Sequence, residues 1–211
     1  MPPKPKFTKQ EIVDAALELA SEKGLEALTS RDLGARLGSS ARPIFTVFRS
    51  MDEVQKEVRA AAMRRFEAYA ADGHGEMPEF KRFGMRMVGF AIEEPRLYRM
   101  LFMTENGAMR GFDDIFEDLG RVAPASMEIL QGEGYGLSER EAWFLFRQMW
   151  IYTFGVGALC VTGVCRFTEQ EISGMLSQAF AANMLLVKSG KMDECRNPEK
   201  VGYGGSGYAE N

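Results

Sequence analysis

The sequence predicts an all-α protein: an N-terminal three-helix helix-turn-helix domain, joined by a long helix to a larger helical domain. Three observations predict it. Apolar residues recur at the i, i+3, i+4 spacing of a helix face along most of the 211 residues. Ser or Thr stands three residues ahead of Glu where such stripes begin, the pattern of a capping box. Strand-type alternation is nowhere sustained, and only VTGVCRF (161–167) is ambiguous.

The elements follow in order. From Thr8 to about Lys23, Ile12, Ala15, Ala16, Leu19 and Ala20 form one stripe, with Glu11 three residues after Thr8 and Gly24 as the stop. A second short helix runs from about Ser30 to Leu37, with Thr29 as cap, Leu33 and Leu37 facing inward and Gly38 ending it. The next stretch, GSSARPIFTVF (38–48), places Pro43 just before the apolar spacing Ile44, Val47, Phe48. Proline inside a helix costs about 3 kcal/mol. In the first turn its missing N–H has no partner to lose, and its fixed φ favours initiation. A turn at residues 38–40 followed by a helix starting near Ala41 to Pro43 is therefore expected, the length pattern of a helix-turn-helix. Ser50 with Glu53 opens a longer helix through about Ala71.

The breaker-rich DGHGEMP (72–78) marks a boundary. Helices are expected near 79–92, 95–105, 111–131 (interrupted near Pro124), 138–164 and 168–189. The Gly-rich tail from about Asp193 reads as disordered. The expected units are a helix-turn-helix domain over 1–50, with the connecting helix to about 71, a second helical domain over 72–190, and a tail over 191–211.

Composition narrows the function. Net charge is −4, yet residues 1–70 hold 12 Lys/Arg against 10 Asp/Glu, while the rest holds 14 against 20. A mildly basic N-terminal module on an acidic body offers one face to a polyanion. No run of about 18 apolar residues and no apolar leader are present, and three cysteines (Cys160, Cys165, Cys195) are too few for a disulfide framework. A cytoplasmic protein with no membrane partner is expected. His74 stands alone in a Gly-rich linker, and Cys160 and Cys165 lack zinc-site spacing, reading as buried thiols or a redox sensor. No phosphate-binding loop or nucleophile elbow appears. No enzyme activity, cofactor or metal is expected.

On the third helix, Ile44 and Phe48 point to the core with Leu19, Leu33 and Leu37. Arg42, Thr46 and Arg49 share the opposite side, with Phe45 beside them. Such a face suits the major groove, where Arg42 would bind guanine and Thr46 a thymine methyl or a phosphate. It suits equally a solvated face with two ordinary arginines. The candidate DNA contacts are Arg31, Ser40, Ala41, Arg42, Pro43, Phe45, Thr46 and Arg49.

Residues 7–58 resemble the DNA-binding domain of the tetracycline-repressor (TetR) family of bacterial transcription regulators. The resemblance rests on IVDAALELASEKG, TSRDLGARLG and IFTVFRSMDEV at matching spacing, and more loosely on EEPRLYRMLFM. It departs at Phe45, where the family usually has Tyr, at Met51, where Lys is common, and at Val47, where His or Asn is frequent. Each departure removes a group that bonds phosphate. Arg31, Arg42, Arg49 and the arm residues Lys4, Lys6 and Lys9 are available to compensate. The resemblance implies a homodimeric regulator, a repressor by family default, that binds double-stranded operator DNA and a small effector between the C-terminal helices. It also implies a dimer bundle built from the last two helices.

The second half uses flexible thioethers and aromatic faces heavily, with Met 14 and Phe 15 in the whole chain. Such side chains suit either an adaptable cavity for an apolar ligand or an ordinary core. The candidate effector residues are Phe83, Met87, Phe90, Tyr98, Met103, Phe116, Trp143, Phe146 and Trp150. The helices near 138–164 and 168–189 carry more apolar surface than one subunit easily covers. The candidate dimer contacts are Phe154, Gly157, Ala158, Met175, Phe180 and Met184. Two rivals stand beside the regulator: a small-molecule sensor that has lost DNA affinity, and an all-helical enzyme with an apolar substrate.

Overall fold

The computed structural model describes residues 5–72, 77–103 and 111–192, apart from the side chains of residues 113, 117 and 118. Lys4, His74, Cys195 and the Gly-rich tail lie outside the described residues. The helices run in the order α1 (Lys9–Lys23), α2 (Ser30–Arg36), α3 (Met51–Ala71), α4 (Glu79–Glu93), α5 (Pro95–Phe102), α6 (Phe112–Asp118), α7 (Val122–Gln131), α8 (Glu139–Val161) and α9 (Glu169–Lys188). Two single 3₁₀ turns, Leu25–Ala27 and Ile44–Thr46, complete the described secondary structure, which contains no strand.

The helix starts follow from side-chain caps. Thr8–Glu11, Ser138–Glu141 and Thr168–Glu171 all close as capping boxes. Thr29 and Ser50 accept from the N–H groups of Asp32 and Glu53. The ambiguous segment 161–167 is not a strand. α8 ends at Val161, the Thr162 hydroxyl donates to the Ala158 carbonyl at 2.6 Å, and Gly163 turns the chain with φ +74°. The expected break near Pro124 falls earlier, at Gly120 (φ +57°). Pro124 is the third residue of α7, where no intrahelical donor is lost.

One continuous apolar cluster runs from Ile12 in α1 to Leu176 in α9. α8 is its axis and packs against α4, α5, α7 and α9. By length and composition alone α8 is long and apolar enough to cross a membrane. Here Leu145, Phe146, Met149 and Trp150 are instead among the buried residues of the core. Burying each such side chain is worth about 1.5–3 kcal/mol. α3 packs on α1, α4 and α5, so the N-terminal helices rest on the body. Arg65 of α3 ties this joint: it donates to Glu18 of α1 at 2.9 Å and to Glu94 at the α4–α5 junction. A chain of edge-to-face rings joins α3 to α8, Phe66 to Phe102 at 5.1 Å and Phe102 to Trp150 at 5.8 Å.

Candidate nucleic-acid interface and ligand cavity

The polar interface is built on the turn after α2. Gly38 takes φ +62°, so Ser39 N–H reaches the Gly34 carbonyl at 2.8 Å and Gly38 N–H that of Ala35 at 3.0 Å, a Schellman closure. The backbone of Ser40 and Ala41 then crosses directly over Gly34. A Cβ at Gly34 would lie 2.8 Å from the Ser40 carbonyl carbon. From Ala41 the chain winds in i→i+3 bonds, from Ile44 N–H to Ala41, Thr46 N–H to Pro43 and Val47 N–H to Ile44. The expected third α-helix is thus a tighter 3₁₀ turn. The Thr46 hydroxyl donates to the Pro43 carbonyl at 2.6 Å, which helps hold this winding.

The turn has two sides. Ile44 and Phe48 are fully buried, and Val47 is half-buried against the core. Arg31, Ser40, Arg42, Phe45, Thr46 and Arg49 are exposed, while Ala41 and Pro43 are half-buried. Phe45 is 47% exposed, an unusual cost for a ring of that size. None of Arg31, Arg42 and Arg49 has a carboxylate within ion-pair distance among the described residues. The neighbouring cations are engaged: Arg36 forks onto Glu22 at 2.6 and 2.7 Å, and Lys9 meets Glu57 at 2.6 Å. The Arg36 guanidinium holds the Glu22 carboxyl below its usual value, and Lys9 does the same to Glu57. Lys9 is therefore not an open arm residue. Lys6 reaches Ser39 at 3.0 Å and stays beside the turn.

A cavity of about 170 Å³ opens between α4, α8 and α9. Phe83, Phe146 and Trp150 line it, as does Phe180, which the sequence had placed at a dimer contact. Phe80, Gly84, Tyr135, Met149, Thr153 and Leu176 are lining residues that sequence periodicity did not single out. They come from three helices and one loop, and no single stripe contains them. Met87 sits behind the wall, its sulfur 3.2 Å from the Thr153 hydroxyl. Phe90 packs in the core against Phe66 and Tyr69. Tyr98 is buried beneath α8, its hydroxyl 3.4 Å from the Phe154 carbonyl, and burial raises its pKa. Met103, at the end of α5, is 38% exposed and does not line the cavity. Phe116 and Trp143 form a pair at 4.4 Å that abuts Phe146. A larger hollow of about 530 Å³ lies between α3, α4 and α7, rimmed by Arg64, Glu67, Glu79, Arg82 and Arg121. Its open, charged rim suits bulk water, so the smaller apolar space is the better ligand site.

The outward faces of α8 and α9 carry a separate apolar strip. Ile151 (53% exposed), Tyr152 and Leu159 lie on α8, and Leu185 (69% exposed) lies on α9. Gly155 and Gly174 have open space where a side chain would stand. Of the residues expected here, Phe154, Ala158, Met175 and Met184 are half-buried. Gly157 is buried under Tyr98: a Cβ there would lie 2.7 Å from the Tyr98 hydroxyl. α8 is apolar on most sides, so sequence alone gives little means of telling its outer stripe from its inner ones.

The described residues form a helix-turn-helix head with an exposed turn, set on a larger helical body. Residues 12–58 match the family described as bacterial regulatory proteins, tetR family. That match covers most of α1, all of α2, the turn after it and the start of α3. No curated protein matches it by sequence. Among solved structures it resembles a TetR family protein from Vibrio parahaemolyticus, with TM-score 0.59 and 16% identity over 83% of this chain and 98% of that one. It also resembles TetR from Acinetobacter baumannii AYE, with TM-score 0.52 and 18% identity over 87% and 96%. A TetR variant from the same organism, solved in complex with minocycline, gives TM-score 0.55 and 16% identity over 87% and 98%. At these identities the likeness is one of fold.

Proposed function

We propose that the chain is a homodimeric transcriptional repressor whose operator affinity falls when a small, largely apolar effector enters the cavity between α4, α8 and α9. The observation that carries the DNA reading is the set of guanidiniums, Arg31, Arg42 and Arg49, without an ion-pair partner among the described residues, around an exposed turn whose neighbours Arg36 and Lys9 are paired with carboxylates. Arg42 faces base edges, while Arg31 and Arg49 flank it toward phosphates. Residues 1–50 act as the DNA-binding unit and 72–190 as the effector and dimer unit. The strip around Ile151, Leu159 and Leu185 meets its own copy, which sets two turns about 34 Å apart on a pseudo-palindromic site. An effector against Trp150 would shift the Phe102 and Phe66 rings, and through them α3, which follows the reading turn directly. It alters DNA affinity only by its own differential affinity for the two arrangements.

Selection of bound sites from random DNA, followed by salt titration, tests this. The expected result is an enriched palindrome whose affinity falls steeply with salt. Binding no different from random DNA at every salt concentration would leave the second reading, a sensor without an operator. That reading is favoured by Phe45, which has no hydroxyl to offer a phosphate, and by the Thr46 hydroxyl, which already donates within the turn.

A further inference from the structure

The cavity between α4, α8 and α9 has a chemical polarity of its own. Its inner wall is apolar and aromatic: Phe146, Met149, Trp150 and Leu176 are each less than 7% exposed. Thr153, the one polar group among these inner residues, already donates its hydroxyl to the carbonyls of Met149 and Trp150 at 2.9 and 3.0 Å. The more exposed lining is different. Lys81, Tyr135 and Ser177 come from α4, the 132–137 loop and α9, and all three retain access to solvent. No Asp or Glu lines the space, so Lys81 brings its only formal charge. Among the described residues no carboxylate lies within ion-pair distance of that ammonium. A cationic ligand would meet like charge here, and a neutral one would leave the lysine without a counter-charge.

Size narrows the occupant further. The volume is about 170 Å³, slightly above the roughly 150 Å³ of an apolar cavity that holds benzene. Six aromatic rings line it, and Tyr135 meets Phe180 edge to face at 5.6 Å. Rings of this kind favour edge-to-face contact with another ring. We propose that this cavity takes a small aromatic monocarboxylate, its ring against Phe146 and Trp150 and its carboxylate at Lys81, with Tyr135 and Ser177 as hydroxyl donors. The proposal rests on reading this cavity as the effector site and adds the effector's charge and class. Lys81 is a specificity residue: it distinguishes acid from neutral analogue, while the inner wall binds both.

Calorimetric titration of the full chain with 3-phenylpropanoate and with its uncharged, near-isosteric amide tests this. The acid is expected to bind at least tenfold more tightly than the amide, and Lys81→Met is expected to abolish that preference while retaining amide binding. Ser177→Trp, which plugs the rim, is expected to weaken both ligands more than tenfold. Equal affinity of acid and amide, or a preference that survives Lys81→Met, overturns the charge assignment and leaves the cavity standing as an apolar effector site. Unchanged binding in Ser177→Trp moves the ligand elsewhere and overturns the proposal. If neither compound binds while the chain still selects an operator, the aromatic-acid class falls and the regulator reading survives.

Discussion

The outward position of Arg42 was legible in the sequence. Ile44 and Phe48 had to face inward, which turns Arg42, Phe45 and Thr46 outward, and all three are exposed. Replacing Arg42 by Ala is expected to relax preference at one base pair and cost about 1–3 kcal/mol there. Arg49→Ala is expected to weaken all sites evenly and lower the salt slope by about 1. Binding to single-base operator variants across a salt series separates the two outcomes. Lys9 was not legible in this way, because Glu57, 48 residues away in sequence, is what occupies it. The sequence grouped Gly157 with the candidate dimer contacts, and its neighbour is Tyr98 of the same chain. Gly157→Ala should therefore destabilise the fold by about 1–3 kcal/mol through overpacking. Adding Tyr98→Phe should recover part of that loss, since it removes the atom 2.7 Å away. A double-mutant cycle in urea measures the coupling.

At the scale of elements, capping chemistry was the most readable feature, because the donors and acceptors of a capping box lie three residues apart. It also makes stability depend on acid. Hydrogen bonds from the Thr8 backbone and hydroxyl hold Glu11 below the usual 4.5, and Thr168 does the same for Glu171. The Ser138 hydroxyl, then its backbone, lowers Glu141. A carboxyl with a lowered folded pKa contributes stability that is present above 4.5 and lost as pH falls through the lowered value. Thermal unfolding is expected to drop in temperature on acidification below about pH 4.5. Glu171→Gln should lower the melting temperature near neutrality and shrink the acid-dependent drop. The turn after α2 was less readable. Apolar spacing of three and four residues suits one turn of either an α- or a 3₁₀-helix, and the choice came from Pro43 and the Thr46 hydroxyl.

For the whole molecule, abundance of Met and Phe announced a large apolar interior but not its partition into core, cavity and outer strip. Phe83, Met87 and Phe90 share a stripe, yet only Phe83 lines the cavity, because that division is made by how α4, α8 and α9 cross. The strip makes assembly testable. Leu185→Glu, at a site 69% exposed in the single chain, should leave the fold intact, convert dimer to monomer in sedimentation, and weaken operator binding more than tenfold. A variant that stays dimeric would move the contact off α9. The short winding from Ala41 to Val47 has a wider consequence. Seven residues at 3₁₀ rise cover roughly 14 Å, little more than the ~12 Å width of the groove. On the proposed reading each copy samples few base steps, too little information to single out one address in a genome. A dimeric regulator of this kind would draw on the fixed interval between two such short words, so inserting or deleting a few base pairs at an operator's centre should silence it more completely than misspelling either half.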